Sequence, residues 1–234
     1  MADSERTRRD KRRIQPADPG DQVVVIGLGR FGGSVAEELV RLGFEVLGID
    51  GRAEMVQRYA DRLTHVVEAD ATSDAALAQL GVGDFRHAVV GIGSDIEASV
   101  LTTAAIVDMG VPNIWAKAVT RAHGRILERV GAHHIVFPEH DMGHRVAHLV
   151  GGRIIDWFQL DEHFAMVETV VPSPLVGRTL GETGVRSKYG VTVVCIKPLG
   201  EGFTYATPET VLEKGAVVVV AGPSEKAEGF ARLD

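Results

Sequence analysis

The sequence predicts an α/β chain: a doubly wound parallel-sheet domain, then a crossover helix and a small α+β domain. Three observations predict it. Short apolar strands alternate with helical segments six times before residue 138. A glycine-rich turn, Gly27-Leu28-Gly29-Arg30-Phe31-Gly32, joins the first strand to the first helix. After Gly151-Gly152 the rhythm changes to the alternating pattern of half-buried strands. Strand–helix alternation with short loops builds a parallel sheet covered by helices on both faces, whereas adjacent alternating runs pair antiparallel.

The elements follow in order. Val23–Ile26 is a continuous apolar run, as a buried parallel strand requires. The helix after the glycine-rich turn carries Val35, Leu39 and Leu42 and ends at Gly43. Glu45–Ile49 is the second strand, Arg52–Asp61 a helix, His65–Glu68 the third strand, and Ser73–Leu80 a helix stopped by Gly81. His87–Val90 is the fourth strand. Ser94–Met109 has the clearest helical signature: Ser94 and Glu97 stand at capping-box spacing, and Gly110 and Pro112 stop it. Asn113–Lys117 is the fifth strand, Arg121–Val130 a helix ended by Gly131, and Ile135–Phe137 the sixth strand. Asp141–Val150 reads as one more helix, with Met142, Val146, Leu149 and Val150 on one side. Ile154–Leu160 and Phe164–Val171 are expected to pair antiparallel, with a turn at Pro172–Pro174. Thr179–Ser187 reads as helix, Val191–Lys197 and Ala216–Ala221 as strands, and Ser224–Leu233 as a closing helix. The organisation expected is an arm at 1–20, a doubly wound α/β domain at 21–138, a crossover helix and linker at 139–152, and an α+β domain at 153–234.

Composition narrows the function. The 234 residues are 45% hydrophobic, enough for two cores, and no apolar run reaches the ~18–20 residues that span a bilayer. The arm carries Arg6, Arg8, Arg9, Lys11, Arg12 and Arg13 against Asp3, Glu5, Asp10 and Asp18, and has no apolar core of a secretory signal. It reads as a disordered, solvated segment. The net charge of −7 speaks against a nucleic-acid partner. The single cysteine, Cys195, forms no disulfide framework and is expected to be a reduced, buried core residue of a cytoplasmic protein.

The glycine-rich turn carries the chemistry. Gly27 permits the tight turn, Gly29 lets backbone approach a pyrophosphate, and Gly32 lets helix pack on strand. The helix that follows aims its N-terminal amides at the phosphates. Asp50 ends the second strand, where a carboxylate accepts hydrogen bonds from ribose hydroxyls and repels a 2′-phosphate, which disfavours NADP. A GxGxxG that follows a strand, opens a helix and has its acid in place is a Rossmann-type site for an adenine nucleotide: ATP or ADP, with NAD possible. Asp70, with Ala71 and Thr72, ends the third strand at the crevice side of the sheet. It either accepts from the adenine amino group or caps the helix that follows. Lys117, at a strand end, either neutralises phosphate or is structural; Phe31, Arg52 and Gly93 complete the candidate nucleotide-binding set.

Five histidines fall between His133 and His148. His140, His144 and His148, at i, i+4 and i+8, share a helix face with Glu139 beside them. Adjacent-turn histidines can hold a transition metal, yet no glutamate follows His140 or His144 as the HExxH pattern demands; the plainer reading is a polar helix face near an interface.

GLGRFGGS at Gly27–Ser34, NIWAKA at Asn113–Ala118 and PEHDMG at Pro138–Gly143 make the chain resemble the RCK-type regulatory subunits of bacterial potassium-uptake systems of the Ktr and Trk kind, over about residues 21–225. The resemblance implies an RCK_N domain that pairs into dimers and assembles into a homo-octameric ring. That ring docks, from the cytoplasm, on the inner face of a membrane potassium-translocating subunit. ATP and ADP would favour different ring shapes. It implies that Arg30 reaches the γ-phosphate of ATP across the dimer interface, an assignment that spacing alone leaves open against a solvated arginine. It implies that Glu139 helps hold a divalent cation, Mg2+ or Ca2+, near the phosphates; without it Glu139 is a charge favoured at a helix N-terminus. It implies cyclic di-AMP binding by an RCK_C domain through Arg186, with Thr192, Val193, Cys195 and Pro208 in the pocket. Thr192 departs from the Asn that such relatives often carry, and a hydroxyl reads a base less fully than an amide.

The rival readings are an NAD-dependent oxidoreductase and an RCK regulator of a cation/proton antiporter or channel. The former needs a general acid or base, and the last ~80 residues offer His163 as their one histidine.

Overall fold

The computed structural model describes residues 21–234, so the basic arm at 1–20 lies outside the described residues. The chain forms two compact units that part between Pro138 and Glu139.

In the first unit six strands form one parallel sheet. They are β1 (Gln22–Ile26), β2 (Glu45–Asp50), β3 (His65–Glu68), β4 (His87–Val90), β5 (Asn113–Lys117) and β6 (His134–Val136), in the order β3-β2-β1-β4-β5-β6. The helices between them are α1 (Arg30–Arg41), α2 (Ala53–Tyr59), α3 (Asp74–Gln79), α4 (Ile96–Asp108) and α5 (Arg121–Val130). Strand order reverses at β1, whose neighbours are β2 and β4, and such a reversal opens a crevice beyond the carboxyl ends of the strands. β1 shows why both faces are filled. Val23 and Val25 join Leu28, Val46, Met55, Tyr59 and Leu63 on one side. Val24 and Ile26 join Ile49, Leu77, Val90, Ile106, Ile114 and Leu127 on the other. Each fully buried aliphatic side chain of this kind contributes about 1.5–3 kcal/mol.

The cap of α4 differs from expectation. Asp95, not Ser94, is the N-cap, and its carboxylate accepts the Ala98 N–H at 3.0 Å. A carboxylate both satisfies that amide and meets the positive end of the helix dipole, so the chain starts the helix one residue later. Asp70 is likewise not the cap of α3: Ser73 is, accepting from Ala76 N–H.

α6 (Pro138–Leu149) opens on the last residue of the first unit, a proline whose missing N–H costs nothing there, and the rest of it belongs to the second unit. Five strands make an antiparallel sheet: β7 (Ile154–Asp161), β8 (Phe164–Val170), β9 (Thr192–Lys197), β10 (Thr204–Tyr205) and β11 (Val217–Pro223), ordered β10-β9-β11-β8-β7. β10 has no counterpart in the sequence reading; two residues between Gly202 and Pro208 give no periodicity to read. The expected helix at Thr179–Ser187 is two short ones, α7 (Leu180–Thr183) and α8 (Val185–Tyr189), because Gly184 between them adopts φ +59°. With α9 (Ser224–Ala231) the sheet encloses a core of Ile154, Trp157, Val167, Leu175, Ile196, Leu212, Val218, Val220 and Phe230.

α6 is fastened to β7 within this unit. Arg145 donates twice to Asp156 and lies 4.7 Å above the Phe158 ring, while His148 stacks on Trp157 with ring centres 4.1 Å apart. Cys195, expected in the core, is half-buried on β9, where burial first and Glu168 second push its thiol pKa up.

Candidate functional site

The first unit gathers the predicted residues at one end of its sheet. Gly27 leaves β1 with φ +86° and donates its N–H to the Ile49 carbonyl at 2.8 Å, tying the turn to β2. A Cβ on Gly32 would stand 2.0 Å from the Gly27 carbonyl oxygen, so α1 can press against the turn because residue 32 has no side chain. At Gly29 a Cβ would meet nothing within 4 Å. The space there is not taken by the protein's own packing, as a loop that admits a phosphate requires.

Asp50 is the best-organised group in the cleft. It is buried, and its Oδ2 accepts the Leu28 N–H at 2.8 Å, which fastens the second strand to the glycine-rich turn. Its Oδ1 accepts the Arg52 backbone N–H at 3.0 Å and the Arg52 Nε at 3.1 Å. The carboxylate is thus held in one orientation by its own chain. Each oxygen accepts about two hydrogen bonds, and the guanidinium of Arg52 takes the positions that the two backbone amides leave.

The rest of the set surrounds this pair. Arg30 is the first residue of α1, exposed, and its side chain forms no ion pair with a described residue. Lys117, at the end of β5, places its Nζ 5.8 Å from the centre of the half-buried Phe31 ring. A Cβ on Gly93 would lie 3.1 Å from that same Nζ, so Phe31, Gly93 and Lys117 are neighbours on the carboxyl side of the sheet. Asp70 turns back on its own loop: Oδ1 accepts from Thr72 Oγ1 at 2.7 Å and Thr72 N–H at 2.9 Å, which hold its pKa below the usual carboxylate range. Ala71 is fixed from the other side, its carbonyl accepting from Thr102 Oγ1 at 3.0 Å. Gly91 was not singled out from sequence, although the Gly91-Ile92-Gly93 run after β4 is its signal. A Cβ there would meet the Gly27 oxygen at 2.8 Å and the Gly32 Cα at 3.0 Å, so β4 needs a third glycine to approach the turn.

In the second unit, Arg186 is exposed on α8 and Thr192 exposed at the start of β9. Pro208 accepts the Gly181 N–H at 2.8 Å through its carbonyl. Val193 and Cys195 do not share a surface. Val193 pairs with buried Val220 and packs on the core, whereas Cys195 pairs with Val219 beside a register shift. Glu139 lies in the first turn of α6 with Asp141.

The histidine series divides. His140 and His144 lie ring to ring with centres 4.5 Å apart, but His148 is drawn away to Trp157 and to Glu228, 3.4 Å from its Nδ1. Among the described residues no group of three or more His, Cys, Asp or Glu side chains is arranged to hold a metal ion.

A six-stranded sheet of this order, a glycine-rich turn at its reversal point and an acid at the end of β2 define a Rossmann-type nucleotide-binding fold, here with a separate antiparallel domain. Residues 23–138 match the TrkA-N domain family and residues 165–233 the TrkA-C domain family. The chain belongs to this TrkA-N/TrkA-C, or RCK, family. It is 38% identical over 210 residues to Ktr system potassium uptake protein A of Bacillus subtilis, covering 89% of this chain and 95% of that protein. It is 39% identical to Ktr system potassium uptake protein C of the same organism, over 86% and 91% of the two chains. Protein A of the Ktr system of Vibrio alginolyticus is 36% identical over 88% of this chain and 94% of its own. Among solved structures, the GsuK RCK domain matches 94% of the chain with a TM-score of 0.65 at 19% identity. This chain spans 48% of that protein, and at such identity the likeness speaks for the fold alone.

Proposed function

We propose that the chain is a cytoplasmic nucleotide-sensing subunit that regulates a membrane potassium-translocating partner of the Ktr or Trk type. The observation that carries the reading is the 38% identity extending over 95% of a Ktr potassium uptake protein, across both domains. The cleft supports a ligand with an adenosine end: Asp50, at the end of β2, would accept from ribose hydroxyls once the Arg52 side chain yields, the open space at Gly29 suits a pyrophosphate, and Arg30 and Lys117 would bring positive charge toward it. ATP and ADP differ by one phosphate, and Arg30, at the opening of α1, would distinguish them by meeting the third phosphate. Glu139 would contribute a carboxylate to a Mg2+ or Ca2+ ion accompanying the phosphates. The second domain would take cyclic di-AMP through Arg186 and Thr192. Self-association into dimers and an octameric ring would transmit the nucleotide state to the partner.

The test is direct. The chain is purified without added nucleotide, and what it carries is identified by mass spectrometry; ATP and ADP are then compared in thermal melts, with NADH oxidation assayed in parallel. ATP and ADP should both stabilise, to different extents, without NADH turnover. No stabilisation by either, or steady NADH turnover, overturns the reading.

A further inference from the structure

The Asp50–Arg52 pair carries a consequence beyond nucleotide binding itself. Asp50 has one fixed obligation, the Leu28 N–H at 2.8 Å on Oδ2. The Arg52 backbone N–H takes part of Oδ1 at 3.0 Å, and residue type does not alter it. The Arg52 side chain then adds Nε on Oδ1 at 3.1 Å and a terminal nitrogen on Oδ2 at 3.5 Å. A carboxylate has about four acceptor positions, and these contacts use them all. A ribose diol needs one position on each oxygen. The guanidinium is the movable occupant: the Arg52 side chain is 64% exposed while that of Asp50 is 5% exposed.

We infer that Arg52 is an intramolecular competitor for the ribose-binding carboxylate, a residue that sets how much the cleft gains from ribose hydroxyls. This rests on the reading of the cleft as an adenine-nucleotide site. Each ligand that seats its diol on Asp50 must first displace the guanidinium toward water. The gain from the hydroxyls is reduced by the value of the ion pair, which is small at this exposure. The ligand class is set by the chemistry: nucleotides with free 2′- and 3′-hydroxyls meet the competitor, and those lacking a hydroxyl meet less of it.

Calorimetry on the full chain with ADP and with 2′-deoxyADP tests this, using the parent and Arg52→Ala. Comparing the two ligands cancels the general effect of removing a positive charge near phosphates. The preference for ADP over 2′-deoxyADP should rise about two- to fivefold in Arg52→Ala, the range of an exposed ion pair. Arg52→Lys, which keeps the charge without the forked donor, should fall between. An unchanged or reduced preference in Arg52→Ala, with ADP still bound, overturns the competitor role and leaves the cleft assignment standing. If the parent binds neither ligand, the cleft assignment falls and this inference with it.

Discussion

The carbonyl oxygen of Gly27 lies where a side chain on Gly32 would have to be, 2.0 Å from an ideal Cβ. Five residues apart in sequence, the two meet because the turn doubles back to start α1 against β1. The turn is therefore a packing device, whatever it binds. Gly32→Ala should destabilise the first unit by about 1–3 kcal/mol, the usual result of forcing atoms into a filled site where backbone must move. Gly29→Ala, whose Cβ would enter open space, should leave stability nearly unchanged and weaken nucleotide binding. Urea unfolding of both variants, followed by titration with ADP, checks this; equal destabilisation would show that Gly29 is also a packing residue.

Asp50→Ala should weaken ATP and ADP alike, by about 2–4 kcal/mol for two charge-assisted hydrogen bonds. It also strands the Leu28 N–H, so a fall in stability should accompany the loss. Asp50→Asn keeps an acceptor for Leu28 and separates the two effects, recovering stability without full affinity. Calorimetry that finds nucleotide affinity intact in Asp50→Ala would remove Asp50 from the site.

Arg30→Ala should divide the nucleotides. A guanidinium matches a terminal phosphate with paired donors, so ATP should lose more than ADP, by about 1–3 kcal/mol. Parallel titrations measure the difference, and equal losses would mean that Arg30 does not sense the third phosphate.

Acid should loosen the first unit before its carboxylates titrate. Burial holds the pKa of His123 and His134 below the ordinary histidine value, and burial is also the main cause for His87. A base whose folded pKa is depressed costs nothing while neutral in both states, above about 6.5. As pH falls below that value the unfolded chain takes up protons that the folded chain resists, and stability falls until the folded pKa is passed. Thermal melts at pH 7.5 and 5.5 should show a lower Tm at 5.5. His123→Gln offers another acceptor to the Val119 N–H and should flatten that difference; an unchanged slope would assign the effect to the other two histidines.

Legibility in the sequence followed the strength of local signals. β3, β4, β5 and α5 have the expected boundaries because turn residues flank each apolar run and Gly131 stops α5. The start of α4 shifted because Ser94 and Asp95 are both good caps, and the choice rests on which side chain reaches the Ala98 N–H. Gly184 was hidden inside a helical pattern, and only its left-handed backbone reveals the break between α7 and α8. In the site, Gly27, Gly32 and Asp50 were readable because a turn and a strand end leave fixed spacings. The hold of Arg52 on Asp50 was not, since i+2 proximity says nothing of where a long side chain lies.

The last prediction concerns the second domain. Arg186 is exposed on α8 and its side chain forms no ion pair with a described residue, so its charge is available to a phosphate. Thr192 is exposed at the start of β9 and offers one hydroxyl where an amide would offer a donor and an acceptor together. Val193 packs against the core, so at the start of β9 it is Thr192 that would read a base. Cyclic di-AMP should therefore bind the full chain through its phosphates more than through its bases. Arg186→Ala should lower affinity by about 1.5–3 kcal/mol, the worth of a charged hydrogen bond. Thr192→Asn should raise it, by about 0.5–1.5 kcal/mol for one further hydrogen bond. Titration of parent and variants by calorimetry measures both. If the full chain does not bind at tens of micromolar and Thr192→Asn does not restore binding, cyclic di-AMP is not a ligand of this domain.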